Sequence, residues 1–354
     1  MPQQTSVQQK TEPWTIRRIL NWTVGYLERK GDEHPRLSAE WLLSNATGLT
    51  RVQLYMNFDQ PLNKEELALM HDGVARRGNG EPLQYVTGEM PFRHIVLRCE
   101  KGVLIPRPET EILVDAALEG VDMATLTFPA VKEQVAAEPS PESNQAVTSE
   151  EKEQPSEEHT SSLASEEVDQ PTKTVVVVPE GCRVLEIGTG TGCIALSLAS
   201  ERPGTRVVAT DLSPDAIKLA TRNRDALNLQ HAVSIVECDL ASGVDPKLMG
   251  TFSVLVSNPP YIPTDVLKNE VPAEVKDHEP ELALDGGPDG LDVFRRILEL
   301  APAALAPGGM LCCELFEGHL DAAAGLVREQ GGWKSVEVRE DLTHRPRVLV
   351  AIHE

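Results

Sequence analysis

Aromatic side chains are scarce in this sequence, at 4% of 354 residues, with four Trp, four Tyr and six Phe. Surfaces that bind exposed bases stack them on aromatics set among basic residues. Basic residues are also in the minority: 33 Lys and Arg stand against 55 Asp and Glu, a net charge of −22. A phosphate backbone is repelled by that balance and has no counterion release to drive its binding, which argues against a direct nucleic-acid partner. Long apolar runs are missing too, so no stretch reads as a membrane-spanning helix. The polar start Met1-Pro2-Gln3-Gln4 does not read as a signal peptide. The six cysteines (Cys99, Cys182, Cys193, Cys238, Cys312, Cys313) contain no C-x-x-C pair and no accompanying histidine spacing, so neither a metal site nor a disulfide framework is indicated. The expectation is a soluble cytoplasmic protein with buried, reduced thiols.

The acidic excess is uneven. Residues 120–170 alone hold twelve acidic and two basic residues, a net of −10. From about 120 to 174 the composition is mostly Glu, Ser, Pro, Ala and Gln. Such a segment buries too little apolar area to offset an ordering entropy of roughly 1–2 kcal/mol per residue, so it is predicted to be a disordered insertion.

What the chain does contain divides into three parts. Residues 1–80 read as a helical bundle: Ile16, Ile19, Leu20, Val24 and Leu27 recur at helical spacing, two further short helices break at Gly48, and Asn63 with Glu66 forms a capping-box-like start for a helix to Arg77. Its charges Arg17, Arg18, Arg29, Lys30, Arg76 and Arg77 read as a solvated face. Residues 81–102 read as a β-hairpin linker, with strands at Leu83-Gln84-Tyr85-Val86-Thr87-Gly88 and His94-Ile95-Val96-Leu97-Arg98 joined around Met90 and Pro91. Residues 103–354 open on Leu104-Ile105-Pro106-Arg107-Pro108-Glu109-Thr110-Glu111, where a helix is predicted from about Pro108. Two prolines there hold Arg107 in a rigid setting, which makes it a candidate for the neighbourhood of a ligand. Beyond the insertion, strands and helices alternate to the end of the chain, which gives an α/β fold, a doubly wound sheet with helices on both faces.

Two motifs fall at predicted strand ends. Glu186-Ile187-Gly188-Thr189-Gly190-Thr191-Gly192 follows the first strand of the larger domain with glycines at alternate positions, where the backbone can pass close to a ligand. The spacing is not the G-x-G-x-x-G that seats a pyrophosphate, which favours a nucleoside without phosphates and disfavours a dinucleotide oxidoreductase. Asp211 ends the second strand, placed for ribose hydroxyls. Asp239 ends the third, placed for an adenine amino group with Leu240 beside the ring. The run Val254-Leu255-Val256-Ser257 reads as a strand buried on both faces that stops at Asn258-Pro259-Pro260-Tyr261. Two prolines donate no N–H and leave carbonyls free, Asn258 adds an amide oxygen, and Tyr261 offers a wall. The set suits a planar group carrying NH2.

With these residues in view, Glu186 to Gly192 and Asp211 resemble the class I S-adenosylmethionine-dependent methyltransferases, with their Rossmann-like sheet. Asn258-Pro259-Pro260-Tyr261 is similar to the motif with which members of that class methylate planar amino groups. The whole chain resembles the release factor glutamine N5-methyltransferases. The matching stretches are Arg36-Leu37-Ser38-Ala39-Glu40-Trp41-Leu42-Leu43, Gly80-Glu81-Pro82-Leu83-Gln84-Tyr85-Val86-Thr87-Gly88, the stretch from Leu104 to Glu111, and Glu279-Pro280 through Leu284-Asp285-Gly286-Gly287 to Asp289-Gly290-Leu291. Phe316-Glu317-Gly318-His319 and Thr343-His344 depart from the family's usual pattern.

The resemblance implies S-adenosylmethionine as cofactor, held by Glu186, Gly188, Thr189, Gly190, Thr191, Gly192, Asp211, Asp239, Leu240 and Asn258. It implies methylation of the glutamine of a Gly-Gly-Gln loop in class I peptide release factors, with Asn258, Pro259, Pro260 and Tyr261 catalytic and, with Arg107, in contact with that substrate. The N-terminal bundle would grip the release factor, and the enzyme would act as a cytoplasmic monomer. A ribosomal-protein glutamine methyltransferase is the nearest alternative. An adenine-N6 nucleic acid methyltransferase would use the same tetrapeptide on a flipped base, and the acidic balance counts against it. A cofactor-binding protein without catalysis would be expected to have lost Asn258 or the glycines.

Overall fold

Apolar residues at helical spacing fold the first part of the chain as the sequence predicts. In the computed structural model, which describes residues 13–127, 182–341 and 343–354, four helices come first: α1 (Ile16–Arg29), α2 (Pro35–Thr47), α3 (Arg51–Met56) and α4 (Lys64–Gly78). They bury Ile16, Leu20, Leu27, Leu43, Leu54 and Met70 in a common core. Gly48 separates α2 from α3 in a left-handed conformation (φ +70°), and its N–H donates to the Ser44 carbonyl at 2.8 Å to close the last turn. The capping box of α4 is complete: Asn63 Oδ1 accepts from the backbone of Glu65 and Glu66, and the Glu66 carboxylate accepts from the Asn63 N–H at 2.8 Å.

The linker differs from expectation. Leu83-Gln84-Tyr85-Val86-Thr87 is not a strand but a short helix, α5 (Leu83–Thr87), set off by Pro82 and stopped by Gly88 at φ +80°. Leu83 and Val86, three residues apart, pack against the bundle core, while Tyr85 turns toward Cys99 and Ile105 and donates its hydroxyl to the Val103 carbonyl at 2.7 Å. Packing on two sides at a spacing of three overrides the β preference of Tyr, Val and Thr. The hairpin follows directly, as β1 (Glu89–Phe92) paired antiparallel with β2 (Ile95–Arg98), so Met90 and Pro91 lie in a strand and the turn falls at Arg93 and His94.

A second correction concerns where the acidic segment begins. Helix α6 (Thr110–Thr127) continues through Gly120, with Ala116, Ala117 and Val121 fully buried. A Cβ on Gly120 would stand 2.7 Å from Val254 Cγ2 and 3.2 Å from Met310 Sδ, so the helix backbone lies directly on the sheet there. Gly120→Val is therefore expected to destabilise the fold by about 1–3 kcal/mol through overpacking, despite valine's better helix propensity. A thermal melt reads this as a fall of several degrees, and an unchanged midpoint would show that the contact is not tight. The rest of the predicted disordered insertion lies outside the described residues.

The larger domain runs β3 (Arg183–Ile187), α7 (Cys193–Glu201), β4 (Arg206–Asp211), α8 (Pro214–Ala226), β5 (Val233–Glu237), β6 (Phe252–Ser257), α9 (Thr264–Asn269), α10 (Ala273–Lys276), α11 (Asp292–Ala304), β7 (Leu305–Glu314), α12 (Leu320–Gln330), β8 (Trp333–Glu340) and β9 (Pro346–His353). Its seven strands are ordered β5-β4-β3-β6-β7-β9-β8, the first five parallel and β9 and β8 antiparallel at one edge. Successive residues of β6 face opposite cores: Val254 and Val256 join Ile194 and Met310, and Leu255 joins Leu185, Phe294 and Leu311. That is the Rossmann-like, doubly wound arrangement the alternation of elements predicts. The order reverses between β3 and β6, and such sheets bind ligands outside the strand ends at that switch point.

The bundle is tied to this domain by a charge that the sequence reading placed on a solvated face. Arg77 is largely buried and donates to Asp32 at 2.7 Å and to Glu274 of α10 at 2.8 Å, and Arg76 pairs with Glu81 at 2.6 Å. Among the described residues no helix is long and apolar enough to cross a membrane.

Candidate active site

The switch point holds a cavity of about 430 Å³, within the range of roughly 300–1,000 Å³ typical of small-molecule sites. It is lined at the ends of β3, β4, β5 and β6 by Gly188 and Gly190, Asp211, Asp239 and Leu240, and Asn258 and Pro260. Four strand ends that are far apart in sequence thus converge, because parallel pairing sets Ile187 level with Thr210 and Ser257, and Asp211 level with Glu237.

The glycine turn is held from the next strand. The N–H groups of Gly188 and Thr189 both donate to the Thr210 carbonyl at 2.9 Å, and the Gly190 N–H donates to Asp211 Oδ2 at 2.8 Å. Gly188 and Gly190 have φ of +75° and +56°, a region a side chain disfavours, so the backbone itself forms the cavity wall. The second oxygen of Asp211 accepts the Ser213 N–H at 2.9 Å. Burial raises the Asp211 pKa, partly offset by these N–H donors.

Not every residue of the motif faces the cavity. Glu186 is fully buried, accepts the Thr189 hydroxyl at 2.7 Å on one oxygen and has no partner on the other; burial pushes its pKa up to about 8, with the Thr189 bond opposing. Thr189, Thr191 and Gly192 likewise lie outside the lining. The Thr191 carbonyl accepts from Asn223 at 2.9 Å, and Gly192 leads into α7.

Asp239 and Leu240 stand just past β5. Asp239 pairs with Arg296 of α11 at 2.6 Å, and Leu240 takes a left-handed φ of +49°, rare for a branched residue and a mark of local strain. Arg296 lines the cavity too and carries no motif that would have revealed it.

At the end of β6, the Asn258 side chain donates through Nδ2 to Thr110 Oγ1 at 3.1 Å. Its Oδ1 accepts no hydrogen bond from the described residues. Pro259 and Tyr261 are not in the cavity lining. Tyr261 packs on the core beneath, where its hydroxyl donates to Glu314 Oε1 at 3.4 Å. The loop with the paired glycines closes over this turn. Ile262 N–H donates to the Leu284 carbonyl at 2.9 Å and Gly286 N–H to the Ile262 carbonyl at 2.8 Å. A Cβ on Gly286 would fall 2.8 Å from the Pro260 carbonyl, so glycine permits this backbone approach.

Arg107 does not line the cavity. It donates to Glu279 at 2.6 Å, and the same buried carboxylate accepts the Ile105 N–H at 3.2 Å, which latches the Ile-Pro-Arg stretch to the loop bearing Pro280–Ala283. Val103 and Leu104 complete the apolar side of the cavity. Missed by sequence reading is Glu314, a nearly fully buried carboxyl beside Tyr261 whose pKa burial raises to about 7. Among the described residues no group of three or more His, Cys, Asp or Glu could hold a metal ion.

The chain matches the family models of the PrmC N-terminal domain over residues 18–88 and the methyltransferase small domain over residues 158–279. It is 39% identical over 323 residues to the release factor glutamine methyltransferase of Geobacter sulfurreducens, covering 91% of this chain and 92% of that one. To the release factor glutamine methyltransferase of Rhodopirellula baltica it is 34% identical over 337 residues, 95% of this chain and 96% of the other. A solved protein-(glutamine-N5) methyltransferase (release factor-specific) from Alicyclobacillus acidocaldarius shares 24% identity over 71% of this chain and 94% of its own, with a TM-score of 0.34.

Proposed function

This chain belongs to the release factor glutamine methyltransferases, and we propose on that premise that it methylates the side-chain nitrogen of the glutamine in a release factor's Gly-Gly-Gln loop. The observation that carries the reading is that Asn258 and Pro260 line the same cavity as Gly188, Gly190 and Asp211, so an amide-gripping turn and a nucleoside-binding turn share one chamber.

The residues present fit S-adenosylmethionine. Gly188 and Gly190 expose backbone to the cavity, and Asp211 retains lone pairs beyond the two it gives to Gly190 and Ser213. Those lone pairs suit ribose hydroxyls. Asp239 has one oxygen on Arg296 and another for an adenine amino group, with Leu240 as an apolar wall. Glu186, Thr189, Thr191 and Gly192 act by holding the turn in shape. When bound, the cofactor supplies an electrophilic methyl group.

A carboxamide nitrogen is a weak nucleophile because its lone pair is delocalised into the carbonyl. The Asn258 Oδ1 and the Pro259 carbonyl accept its two N–H groups, orient it and favour a pyramidal geometry. Tyr261, packed on the core beneath, supports the turn that carries Asn258 and Pro260. As the nitrogen gains the methyl its positive charge is relieved by loss of one proton to water, so the chain needs no dedicated base. Orientation of this kind lowers barriers by up to roughly 7–11 kcal/mol in well-arranged cases. Arg107, through Glu279, holds the loops at the cavity mouth, and the N-terminal bundle grips the release factor in the cytosol.

The test is to supply methyl-labelled S-adenosylmethionine with, separately, a release factor, ribosomal protein and DNA. Label is expected on the Gly-Gly-Gln glutamine alone. Label on ribosomal protein or DNA, or on none of the three, overturns the assignment.

A further inference from the structure

One ion pair belongs to the cavity itself. Asp239, just past β5, and Arg296, on α11, are 57 residues apart in the chain and both line the chamber, with Arg296 Nη2 donating to Asp239 Oδ2 at 2.6 Å. Their side chains are 49% and 50% exposed, which places the pair at the rim. Exposed ion pairs are commonly incidental and stabilise little. Two observations set this one apart. The first is that α11 carries two arginines in a row and uses them differently: Arg295 is spent on Asp289 and Asp292 outside the lining, whereas Arg296, three residues from Val293, lines the cavity with it. The second is the turn that carries Asp239. Leu240 holds its left-handed φ of +49°, and Cys238 Sγ donates to the Leu240 carbonyl at 3.4 Å across the same turn. Backbone strain in a branched residue persists where its surroundings impose it, and such residues cluster at ligand sites.

We propose that Arg296 is a specificity-determining residue: with Asp239 it forms a two-point reader for a purine edge, Asp239 Oδ1 accepting from the exocyclic amino group and the Arg296 guanidinium donating to the ring nitrogen N1 beside it. This rests on the placement of S-adenosylmethionine argued above. An ionised carboxylate only accepts hydrogen bonds and a guanidinium only donates them, so the pair presents an acceptor next to a donor in an order that no rotation can reverse. Adenine is complementary, since its 6-amino group donates and its N1 accepts. Hypoxanthine is the opposite at both atoms, with a carbonyl at C6 and a hydrogen on N1, so each contact would set like against like. Asp239 alone checks one of these two positions. Arg296 adds the other, because its Nε and Nη1 make no hydrogen bond to the described residues and remain available as donors. By taking Oδ2 it also leaves Oδ1 as the free acceptor of Asp239, and its charge keeps the carboxylate from repelling the N1 lone pair.

The test is calorimetry on the full chain with two probes, S-adenosylhomocysteine and S-inosylhomocysteine, which share ribose and amino acid and differ only at this edge. The wild type is expected to bind the adenosyl probe roughly 10–100-fold more tightly, the scale of discrimination by a well-placed two-point base contact. Arg296→Ala should weaken the adenosyl probe about 10-fold. It should leave the inosyl probe as it was or improve it, since the clash with the N1 hydrogen is gone, and the preference contracts. A second comparison separates reading the base from merely steadying Asp239. In an Asp239→Ala background the further change Arg296→Ala should still cost adenosyl affinity, which a residue acting only through Asp239 would not do. A wild type without adenosyl preference overturns the proposal, as does an unchanged preference in Arg296→Ala or no further loss in the double variant. Should a variant fail to fold, the wild-type preference still decides. A wild type that binds neither probe would sink the cofactor placement, and this reader with it. An adenosyl preference that contracts in Arg296→Ala, in a chain that methylates no release factor, would leave the reader standing and sink only the substrate assignment.

Discussion

Asn258→Ala is expected to lower turnover by about two to three orders of magnitude, the range seen when one preorganised hydrogen-bonding group is taken from a reaction centre. Affinity for S-adenosylmethionine should be nearly unchanged, because the Gly188–Gly190 turn and Asp211 are held by each other and by Thr210, whereas the Asn258 side chain hydrogen-bonds to Thr110. The fold should also survive. Asn258 is only partly buried, its side chain makes a single hydrogen bond to the protein, and losing that bond costs on the order of 1 kcal/mol. The two assays therefore separate: cofactor titration reads the nucleoside half of the chamber, and single-turnover methylation reads the amide half. Wild-type turnover in the alanine variant would mean that another group orients the nucleophile.

How much of this arrangement the sequence carries depends on the range of the interactions. Local rules were legible: the Asn63–Glu66 box and the helix break at Gly48 each rest on bonds between residues at most four apart. Strand ends were legible as well, since an apolar run stopping at a polar or proline-rich tetrapeptide marks the carboxyl edge of a buried sheet. Propensity failed where tertiary packing decided. Tyr85, Val86 and Thr87 favour strand, yet they sit in a helix clamped between the bundle and the Cys99–Ile105 cluster. Residues 120–127 begin a poor composition but continue α6, because Gly120 lets that helix lie on Val254 and Met310. Least legible were pairs made across the fold. Arg296 meets Asp239 across 57 residues, and Glu314 meets Tyr261 across 53, with no spacing in the chain to announce either.

Asp211→Asn is expected to weaken S-adenosylmethionine binding by about 100-fold or more while the protein remains folded. The substitution preserves shape, so the effect isolates charge and acceptor number. A carboxylate accepts on both oxygens, and here Oδ2 serves the Gly190 N–H and Oδ1 the Ser213 N–H, with the remaining lone pairs open to ribose. An asparagine has one oxygen only. Its NH2 must face either Gly190, which sets two donors against each other and loosens the glycine turn, or Ser213, which disturbs the start of α8. In both cases the charge-assisted bonds to the ribose hydroxyls are lost, at about 1.5–3 kcal/mol each. Two such bonds amount to two or more orders of magnitude in affinity, since each 1.4 kcal/mol is about tenfold. Calorimetry measures the loss directly. Because the amide half of the chamber is untouched, turnover at saturating cofactor should fall far less than affinity does, the reverse of the Asn258 pattern. If affinity held and turnover alone fell, Asp211 would belong to the chemistry and not to nucleoside recognition.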